Sequence, residues 1–346
     1  MSNFVITDSV EAELIAIAKS LAVDRVFVLV DENTAKFCLS RMNLALLNPY
    51  IIKIKAGDEF KTIDTALDVW NELVNNGASR SSLLVNVGGG VITDLGGFVA
   101  ATFKRGMRFV NVPTTLLGVV DAATGGKTGV NFGGLKNEIG VFAKAEKVLI
   151  DTRFFETLDF RNRLSGYAEM VKHALIADFI LLEQTLGYDL DKFDMARLAV
   201  LLKQNLDIKE SIVEQDPNEK GQRKALNFGH TVGHAFESLS HEVGSPMLHG
   251  FAVMWGMVAE LYLSLLKLKL NKQIVSQILL FAKEYYGAFP YTCKQYDRLY
   301  ELMMHDKKNS DGQINFTLLA GVGDVRINQT VTKDELFEAL DFIREI

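Results

Sequence analysis

Two histidines one helical turn apart are the clearest candidates for chemistry in this sequence. They lie in Asn227-Phe-Gly-His230-Thr-Val-Gly-His234, and residues four apart share one face of a helix. A third, His249, precedes a long apolar segment, and Glu169 stands one turn before Lys172. A carboxylate and two imidazoles suit a divalent ion such as Zn²⁺ and leave a position open for substrate. The spacing alone leaves metal binding and ordinary core histidines equally open.

A second candidate is a glycine turn between an apolar run and a helix start, at Gly88-Gly89-Gly90. Glycines let the backbone approach a pyrophosphate, and a helix N-terminus adds N–H donors. A plain tight turn explains the same residues equally well. Asp31, at the end of an earlier apolar run, could hold an adenosine ribose, although most such acids are simply solvated.

The segment 113–129 is rich in glycine and hydroxyl groups and contains Asp121 and Lys127, but it lacks the first glycine of a P-loop. We interpret this segment as a binding site rather than as a loop without a binding role. Several cations stand beside these motifs and indicate an anionic substrate. They are Lys127, Lys136, Lys172, Lys209, Arg223, Lys307 and Lys308.

Two kinds of element must position these residues. Short β-branched runs at Val26–Val30, Leu83–Val87, Phe109–Val112 and Lys147–Ile150 alternate with helical patterns such as Thr62–Asn76, which predicts βαβ units around a parallel sheet. From Arg163 onward helical periodicity dominates, and only Ile314–Ala320 resembles a strand. The later helices are predicted at Arg163–Ala177, Leu198–Glu214, Lys224–Leu239, Gly250–Leu268 and Gln273–Tyr286. We therefore predict an α/β domain over 1–155 and a mostly α-helical domain over 156–346.

Composition excludes several other classes of protein. A net charge of −6 argues against nucleic-acid binding. The N-terminus has acids where a signal peptide has positive charge, and Phe251–Leu266, with Glu260 inside it, is predicted to be a buried helix rather than a membrane span. Two distant cysteines, Cys38 and Cys293, fit a reducing compartment. A cytoplasmic protein without a membrane is expected.

Taken in order, these motifs resemble the 3-dehydroquinate synthase family. The resemblance runs from about Asp31 to Gly321, through Gly88–Leu95, Phe103–Gly106, Pro113–Leu117, Asp121–Asn131, Lys136-Asn137, Gly166–Lys172, Leu226–His234, Leu248–Gly250 and Asp306–Lys308. It implies a Rossmann-like NAD domain, a helical metal- and substrate-binding domain, and a homodimer. It also implies a lyase that converts 3-deoxy-D-arabino-heptulosonate 7-phosphate to 3-dehydroquinate and phosphate. The implied steps are transient oxidation by NAD, phosphate elimination, re-reduction and intramolecular aldol closure.

The resemblance also implies roles for individual residues. Metal ligands for Zn²⁺ or Co²⁺ would be Glu169, His230 and His249. Contacts to NAD would come from Asp31, Asn33, Asp58, Lys61, Gly89, Gly90, Asp94, Thr114, Thr115, Asp121, Lys127, Lys136, Phe154, Thr157 and Leu158. Catalytic and substrate-binding roles would fall to His234, Lys172, Lys127, Asn137, Lys209, Arg223, Asn227, Lys307 and Lys308, with Arg105 reaching across a dimer interface.

Three positions depart from the family pattern. Asp58 replaces the usual Glu, Leu135 replaces a Gly, and Asn162 stands where Glu is common. We expect these changes to affect affinity more than activity.

Three other functions remain as alternatives to the one that the resemblance implies. They are another sugar-phosphate cyclase, such as a 2-deoxy-scyllo-inosose synthase or a sedulose-7-phosphate cyclase, an iron-type polyol dehydrogenase, and a catalytically dead NAD-binding regulator. The phosphate-binding lysines disfavour the dehydrogenase, and Lys209, Arg223 and Asn227 favour a substrate that carries a carboxylate.

Overall fold

The computed structural model describes residues 3–133, 135–304 and 313–345. Its chain forms two compact units, Met1–Gly166 and Tyr167–Ile346. The first is an α/β unit and the second is mostly helical, so the predicted fold class is confirmed. The division predicted between residues 155 and 156 stays a prediction, and the compact units divide inside a helix that follows it.

The first unit is organised by a six-stranded parallel sheet and a separate antiparallel hairpin. Its strands are β1 Phe4–Ile6, β2 Val26–Asp31, β3 Tyr50–Ile54, β4 Leu83–Gly88, β5 Arg108–Pro113, β6 Lys127–Phe132, β7 Leu135–Phe142 and β8 Val148–Ile150. The sheet has the order β1-β8-β5-β4-β2-β3, and β6 and β7 form the hairpin. The runs in β2 and β4 are almost entirely buried. Continuous apolar runs rather than alternating ones are typical of parallel strands covered on both faces.

The helices of this unit follow from their caps and buried stripes. They are α1 Val10–Ser20, α2 Glu32–Phe37, α3 Ile63–Asn75 and α4 Gly90–Thr102, with a π-helical turn at Gly118–Ala122 and short 3₁₀ turns elsewhere. In α3, Thr62 caps the N-terminus by accepting from the Thr65 amide at 3.3 Å, and Ala66, Val69 and Leu73 form the buried face. That spacing is the helical period that predicted this element.

The second unit is a set of helices with one β-hairpin. The elements are α5 Phe160–Ala177, which begins in the first unit, α6 Phe179–Leu186, α7 Met195–Gln215, α8 His230–Glu242, α9 His249–Leu268, α10 Lys272–Tyr286, α11 Tyr296–Met304, β9 Phe316–Gly321, β10 Asp324–Gln329 and α12 Lys333–Arg344. Strand β10 pairs antiparallel with β9. The expectation of a single late strand was therefore wrong, because β10 alternates exposed and half-buried residues and carries little apolar signal.

The predicted helix Lys224–Leu239 was also wrong as one element. A 3₁₀ turn at Gln222–Asn227 ends before α8 begins at His230. Between them Gly229 has φ 78°, a left-handed conformation that glycine adopts without steric cost. Hydrophobic periodicity does not reveal such a break in a helix, because the spacing of apolar residues continues across it.

Helix α9 passes through the core of the second unit. At 20 residues it is long and apolar enough to cross a membrane by length and composition, and 72% of its most apolar window is buried. The apolar segment identified from the sequence, Phe251–Leu266, is shorter than this helix, so burial rather than length supports a core helix. The core helix of a soluble protein passes the same test of length and composition.

Candidate functional site

Three side chains from three helices converge in the second unit. Glu169 lies within α5, His230 is the first residue of α8, and His249 is the first residue of α9. Glu169 Oε1 lies 3.5 Å from His230 Nε2 and 3.7 Å from His249 Nε2, and all three ligand atoms lie within 4.8 Å of one another. Atoms bound to one tetrahedral Zn²⁺ are about 3.4 Å apart, so the spacing suits a metal ion.

The carboxylate of Glu169 is buried in a positive environment. It is fully buried and forms an ion pair with Lys172, which is 1% exposed. Burial opposes ionisation, but the ammonium and the two imidazoles outweigh that cost and hold the pKa of Glu169 well below its ordinary value. The group is therefore a carboxylate at neutral pH, which is the form that binds a metal.

The two histidines present their Nε2 atoms because their Nδ1 atoms are already engaged. His230 Nδ1 donates to the Phe228 carbonyl at 3.1 Å, and His249 Nδ1 donates to Glu237 Oε2 at 3.2 Å. A carbonyl or carboxylate can only accept, which fixes the proton on Nδ1. A carboxylate behind a ligand histidine is a common outer-sphere arrangement at metal sites.

The protonation of His249 links metal binding to proton release. Burial disfavours its imidazolium, but the carboxylates of Glu169 and Glu237 outweigh that effect and raise the pKa of His249 to about 10. A metal ion that binds at Nε2 must displace a proton from this ring.

The unsatisfied buried atoms test whether a metal fits here. Among the described residues, Glu169 Oε1 and the Nε2 atom of His249 are buried without a hydrogen-bond partner, whereas Glu169 Oε2 is paired with Lys172. Such atoms are costly in a folded protein unless another partner completes them. One oxygen and two nitrogens at this spacing fit a divalent ion such as Zn²⁺ or Co²⁺.

His234 and Glu237 adjoin this cluster on α8. The ring of His234 lies 5.3 Å from that of His230 and 6.0 Å from that of His249 between centroids. His234 does not belong to the group of described residues whose ligand atoms lie within 4.8 Å of one another, which is Glu169, His230 and His249. The sequence analysis missed Glu237, although its position seven residues after His230 places it on the same helix face.

The predicted substrate cations of this unit are mostly buried. Lys172, Lys209 and Arg223 are each less than 5% exposed, and Arg223 donates to the Pro217 carbonyl at 2.8 Å. Asn227 donates to Glu219 Oε1 at 3.0 Å. Lysine and arginine are rarely buried to this extent without an anionic partner. Lys307 and Lys308 lie outside the described residues, so their predicted role stays a prediction.

In the first unit the predicted glycine turn joins β4 to α4. Gly89 is the N-cap of α4, and no side chain caps this helix. A Cβ atom at Gly89 would lie 3.2 Å from Thr115 Cγ2, and one at Gly90 would lie 3.2 Å from Ala122 Cβ. Both approaches are tighter than usual contacts, so glycine suits this turn. Uncapped N–H groups and a helix N-terminus suit a phosphate. Thr114 is buried and Thr115 half-buried beside the turn, whereas Asp121 lies in the π-helical turn and Lys127 begins β6.

Other predicted nucleotide residues already have structural partners. Asp31 caps α2 by accepting from the Thr34 amide at 2.7 Å, and Asn33 is exposed. The side chain of Phe154 is buried in the core, so it presents only backbone, and Thr157 donates to the Phe154 carbonyl at 2.9 Å. Leu158 follows the same 3₁₀ turn.

A polar network joins the turn before α3 to the β6–β7 hairpin. Lys61 Nζ donates to Asp94 Oδ2 at 3.0 Å and to Asn137 Oδ1 at 2.5 Å. The Asn131 side chain donates to the Asp58 carbonyl at 3.1 Å and accepts from the Asn137 amide at 3.0 Å. The sequence analysis quoted Asn131 without giving it a role, because neither spacing nor periodicity identifies a residue that bridges two turns.

The three departures from the family pattern also have local partners or positions. Asp58 Oδ2 lies 3.5 Å from Lys136 Nζ, so the shorter acid still meets a cation. The Asn162 backbone amide donates to Asp159 Oδ1 at 2.8 Å at the start of α5. Leu135 is exposed at the start of β7.

Comparison with known proteins gives one consistent family. Models described as 3-dehydroquinate synthase N-terminal and C-terminal match residues 51–165 and 166–309. The chain is 52% identical over 343 residues to 3-dehydroquinate synthase of Parabacteroides distasonis, covering 99% of this chain and 97% of the relative. It is 36% identical to that of Clostridium tetani, covering 91% and 84%.

Solved structures agree on the fold. A 2-epi-5-epi-valiolone synthase from Streptomyces hygroscopicus subsp. jinggangensis, with NAD⁺ and Zn²⁺ bound, superposes with a TM-score of 0.86 at 26% identity, covering 100% of this chain and 97% of that chain. A 2-deoxy-scyllo-inosose synthase gives 0.83 at 23%, covering 99% and 96%. A probable glycerol dehydrogenase from Sinorhizobium meliloti gives 0.62 at 16%, covering 99% and 96%. The fold is thus shared by cyclases and dehydrogenases, and sequence identity must separate them.

Proposed function

The chain belongs to the 3-dehydroquinate synthase family, and from that premise we propose the reaction it catalyses. It is a carbon–oxygen lyase that converts 3-deoxy-D-arabino-heptulosonate 7-phosphate to 3-dehydroquinate and phosphate, a step of the shikimate pathway to aromatic amino acids. The observation that carries this proposal is the 52% identity over nearly the full length of a 3-dehydroquinate synthase.

The two units would supply sites for two cofactors, NAD and a divalent metal. When bound, NAD⁺ accepts and returns a hydride and Zn²⁺ or Co²⁺ supplies Lewis acidity. Glu169, His230 and His249 would hold the metal, as their spacing and their unsatisfied buried atoms support. The uncapped α4 N-terminus at Gly89 and Gly90 would hold the nucleotide phosphates.

The remaining side chains would bind and orient the sugar phosphate. Lys172, Lys209 and Arg223, together with Asn227, offer donors to its carboxylate and phosphate, since charge-assisted hydrogen bonds are the strong ones. Fixed placement of the substrate phosphate would let that group itself take the neighbouring carbon-bound proton as it leaves. His234, whose ring adjoins that of His230 but which is not in the group of ligand atoms, would move a proton at the substrate oxygen.

The test is turnover with NAD⁺ far below the substrate concentration. Phosphate and dehydroquinate should appear in equal amounts, with no net gain in NADH absorbance, because the hydride returns to the substrate. One NADH released per product would identify a polyol dehydrogenase instead. Phosphate release from substrates without a carboxylate, and none from the heptulosonate phosphate, would identify another sugar-phosphate cyclase.

We further propose a cytoplasmic homodimer in which Arg105 reaches the substrate phosphate of the neighbouring subunit. Arg105 is exposed, and Lys104 and Arg105 adopt φ of 49° and 66° before Gly106. Consecutive left-handed residues other than glycine are costly and concentrate at functional sites. A guanidinium can bind phosphate through two parallel N–H bonds.

Subunit mixing tests the role of Arg105 in the partner's site. Arg105→Ala and Glu169→Ala should each be inactive alone. After exchange, mixed dimers should regain activity if Arg105 acts in trans, because one of their two sites then carries neither change. Light scattering confirms dimers, and exchange between differently labelled subunits is followed in parallel. Dimers that exchange without regaining activity would exclude the trans role.

A further inference from the structure

Glu260 is a buried carboxylate to which the proposed reaction gives no role. It lies on α9, is fully buried, and accepts three hydrogen bonds from backbone amides. The donors are Gly229 at 2.6 Å, Thr231 at 3.1 Å and Val232 at 3.3 Å. These amides belong to the start of α8, where unpaired N–H groups and the helix dipole favour a negative charge.

One of these bonds leads directly to a metal-ligand candidate. The Gly229 N–H and the Phe228 carbonyl belong to the same peptide unit. The N–H donates to Glu260 at 2.6 Å, and the carbonyl accepts from His230 Nδ1 at 3.1 Å. A carboxylate, one peptide unit and an imidazole therefore form a continuous chain of hydrogen bonds that ends at the Nε2 atom facing Glu169.

The packing of α8 against α9 holds this chain in place. Gly229 has φ 78°, and its N–H donates to Glu260 on α9. Gly256 lies one turn before Glu260, and a Cβ atom there would overlap the Gly229 carbonyl and lie 2.7 Å from the Gly233 nitrogen. Because only glycine permits this approach, the two helices are close enough for the Glu260 carboxylate to reach the backbone.

We propose that Glu260 is a positioning residue that sets the tautomer and orientation of His230 through the Phe228–Gly229 peptide. The proposal rests on the metal role of His230 in the proposed function. The two ligand histidines then have matching support, because Glu237 binds His249 Nδ1 directly and Glu260 acts on His230 Nδ1 through one peptide.

The physical effect follows from cooperative hydrogen bonding. A carboxylate that accepts from an amide N–H polarises the amide and makes its carbonyl a stronger acceptor. A stronger acceptor holds the His230 proton on Nδ1 and makes Nε2 a better donor of its lone pair. Partners that support ligand histidines in this way change metal affinity by about 10–100-fold when removed.

Glu260→Gln tests the relay at nearly constant shape. The amide must turn an NH₂ group toward either the Gly229 amide or the Thr231 and Val232 amides, so at least one hydrogen bond is lost. Zinc affinity, measured by competition with a chromophoric chelator, should fall about 10–100-fold. The absorption spectrum of the Co²⁺-loaded variant should also change, whereas NAD⁺ affinity should stay as in the wild type.

Ser264→Ala is the matched control for a merely structural role. Ser264 is buried on the same helix, donates to the Glu260 carbonyl at 2.6 Å and accepts from the Leu319 amide at 2.9 Å, away from the carboxylate. It should lower the melting temperature without changing zinc affinity. If Glu260→Gln behaves in the same way, with zinc affinity within twofold of the wild type, the relay is excluded.

A second measurement needs no variant and stays decisive if Glu260→Gln does not fold. In wild-type protein containing ¹⁵N-histidine and ¹¹³Cd²⁺, the metal should couple to Nε2 of His230 while Nδ1 carries a proton. Coupling to Nδ1 would overturn the proposal. A wild-type chain that binds no divalent metal would refute the metal role itself, whereas equal binding by wild type and variant refutes only the relay.

Discussion

Replacing Lys172 with methionine should destabilise the metal-free protein strongly and the zinc-loaded protein little. Lys172 and Glu169 form an ion pair on adjacent turns of α5, and both are almost completely buried. Methionine keeps most of the length and apolar volume of lysine but removes the charge. The Glu169 carboxylate would then lose the largest of the charges that keep it ionised.

The magnitude follows from the neighbours that remain. Removing one partner of a buried ion pair costs about 3–5 kcal/mol. His230 Nε2 at 3.5 Å and His249 Nε2 at 3.7 Å still face the carboxylate, so we expect the lower end, about 3 kcal/mol. For a unit of this size that lowers the melting temperature by roughly 6–12 °C.

Zinc should reverse most of this loss, because a bound ion supplies positive charge to the same carboxylate. If the metal-free variant loses about 3 kcal/mol and the loaded variant loses little, linkage requires zinc to bind the variant more tightly, by up to about 100-fold. Loss of a metal ligand would weaken zinc binding, so the change in zinc affinity expected for Lys172→Met has the opposite sign. Activity is not the assay here, because Lys172 is also proposed to bind substrate.

The assay is calorimetric melting of wild type and Lys172→Met after chelator treatment and after zinc loading. Lys203→Met is the control, since Lys203 pairs with Asp207 at 2.6 Å on the surface of α7, with side chains 62% and 49% exposed. Such a pair contributes less than about 1 kcal/mol. The reasoning is refuted if metal-free Lys172→Met melts within about 2 °C of wild type, or if zinc raises both melting temperatures equally.

Two further predictions each distinguish two residues of the same type. His249→Ala should lose bound metal and activity together, whereas His234→Ala should keep its metal and lose rate; equal metal content in both variants would contradict the assignment of ligand and substrate residue. Burial raises the pKa of the Cys38 thiol to about 11, so iodoacetamide near neutral pH should modify exposed Cys293 and spare Cys38 until the protein is denatured, as peptide mass spectrometry would show.

The sequence predicted the elements whose pattern is local. The apolar runs of β2 and β4 and the amphipathic period of α3 lie within one or two residues of their predicted bounds. The β6–β7 hairpin was not predicted, because β7 is mostly exposed and its pairing with β6 contains a register shift. An exposed strand shows no alternation of apolar and polar residues, so its own sequence does not identify it as a strand. It forms because a neighbouring strand, here β6, is available to pair with it.

Within the candidate site, residue type and spacing favoured His230 and His249 as metal ligands. They could not identify the groups that accept hydrogen bonds from the Nδ1 atoms of these two rings. Glu237 was available in principle, since it shares a face of α8 with His230. Its contact to His249 depends on how the turn between α8 and α9 folds back, which is a tertiary property. Sequence analysis therefore identifies candidate metal ligands more readily than the groups that set their protonation.

Glu260 is a second supporting group that sequence analysis could not identify. In the sequence it served only as a polar residue that argued against a membrane span in Phe251–Leu266. In the structure it lies 31 residues from the Gly229 amide it binds, and it reaches that amide because Gly256, one turn away on the same helix face, leaves room for the α8 backbone. A single acid in an apolar helix therefore has two explanations, a solvated edge or a buried anion with a fixed set of donors. Glycine four residues before it is the local clue that favours the second, because a helix that must bring a carboxylate to another backbone needs a small residue where the two helices touch.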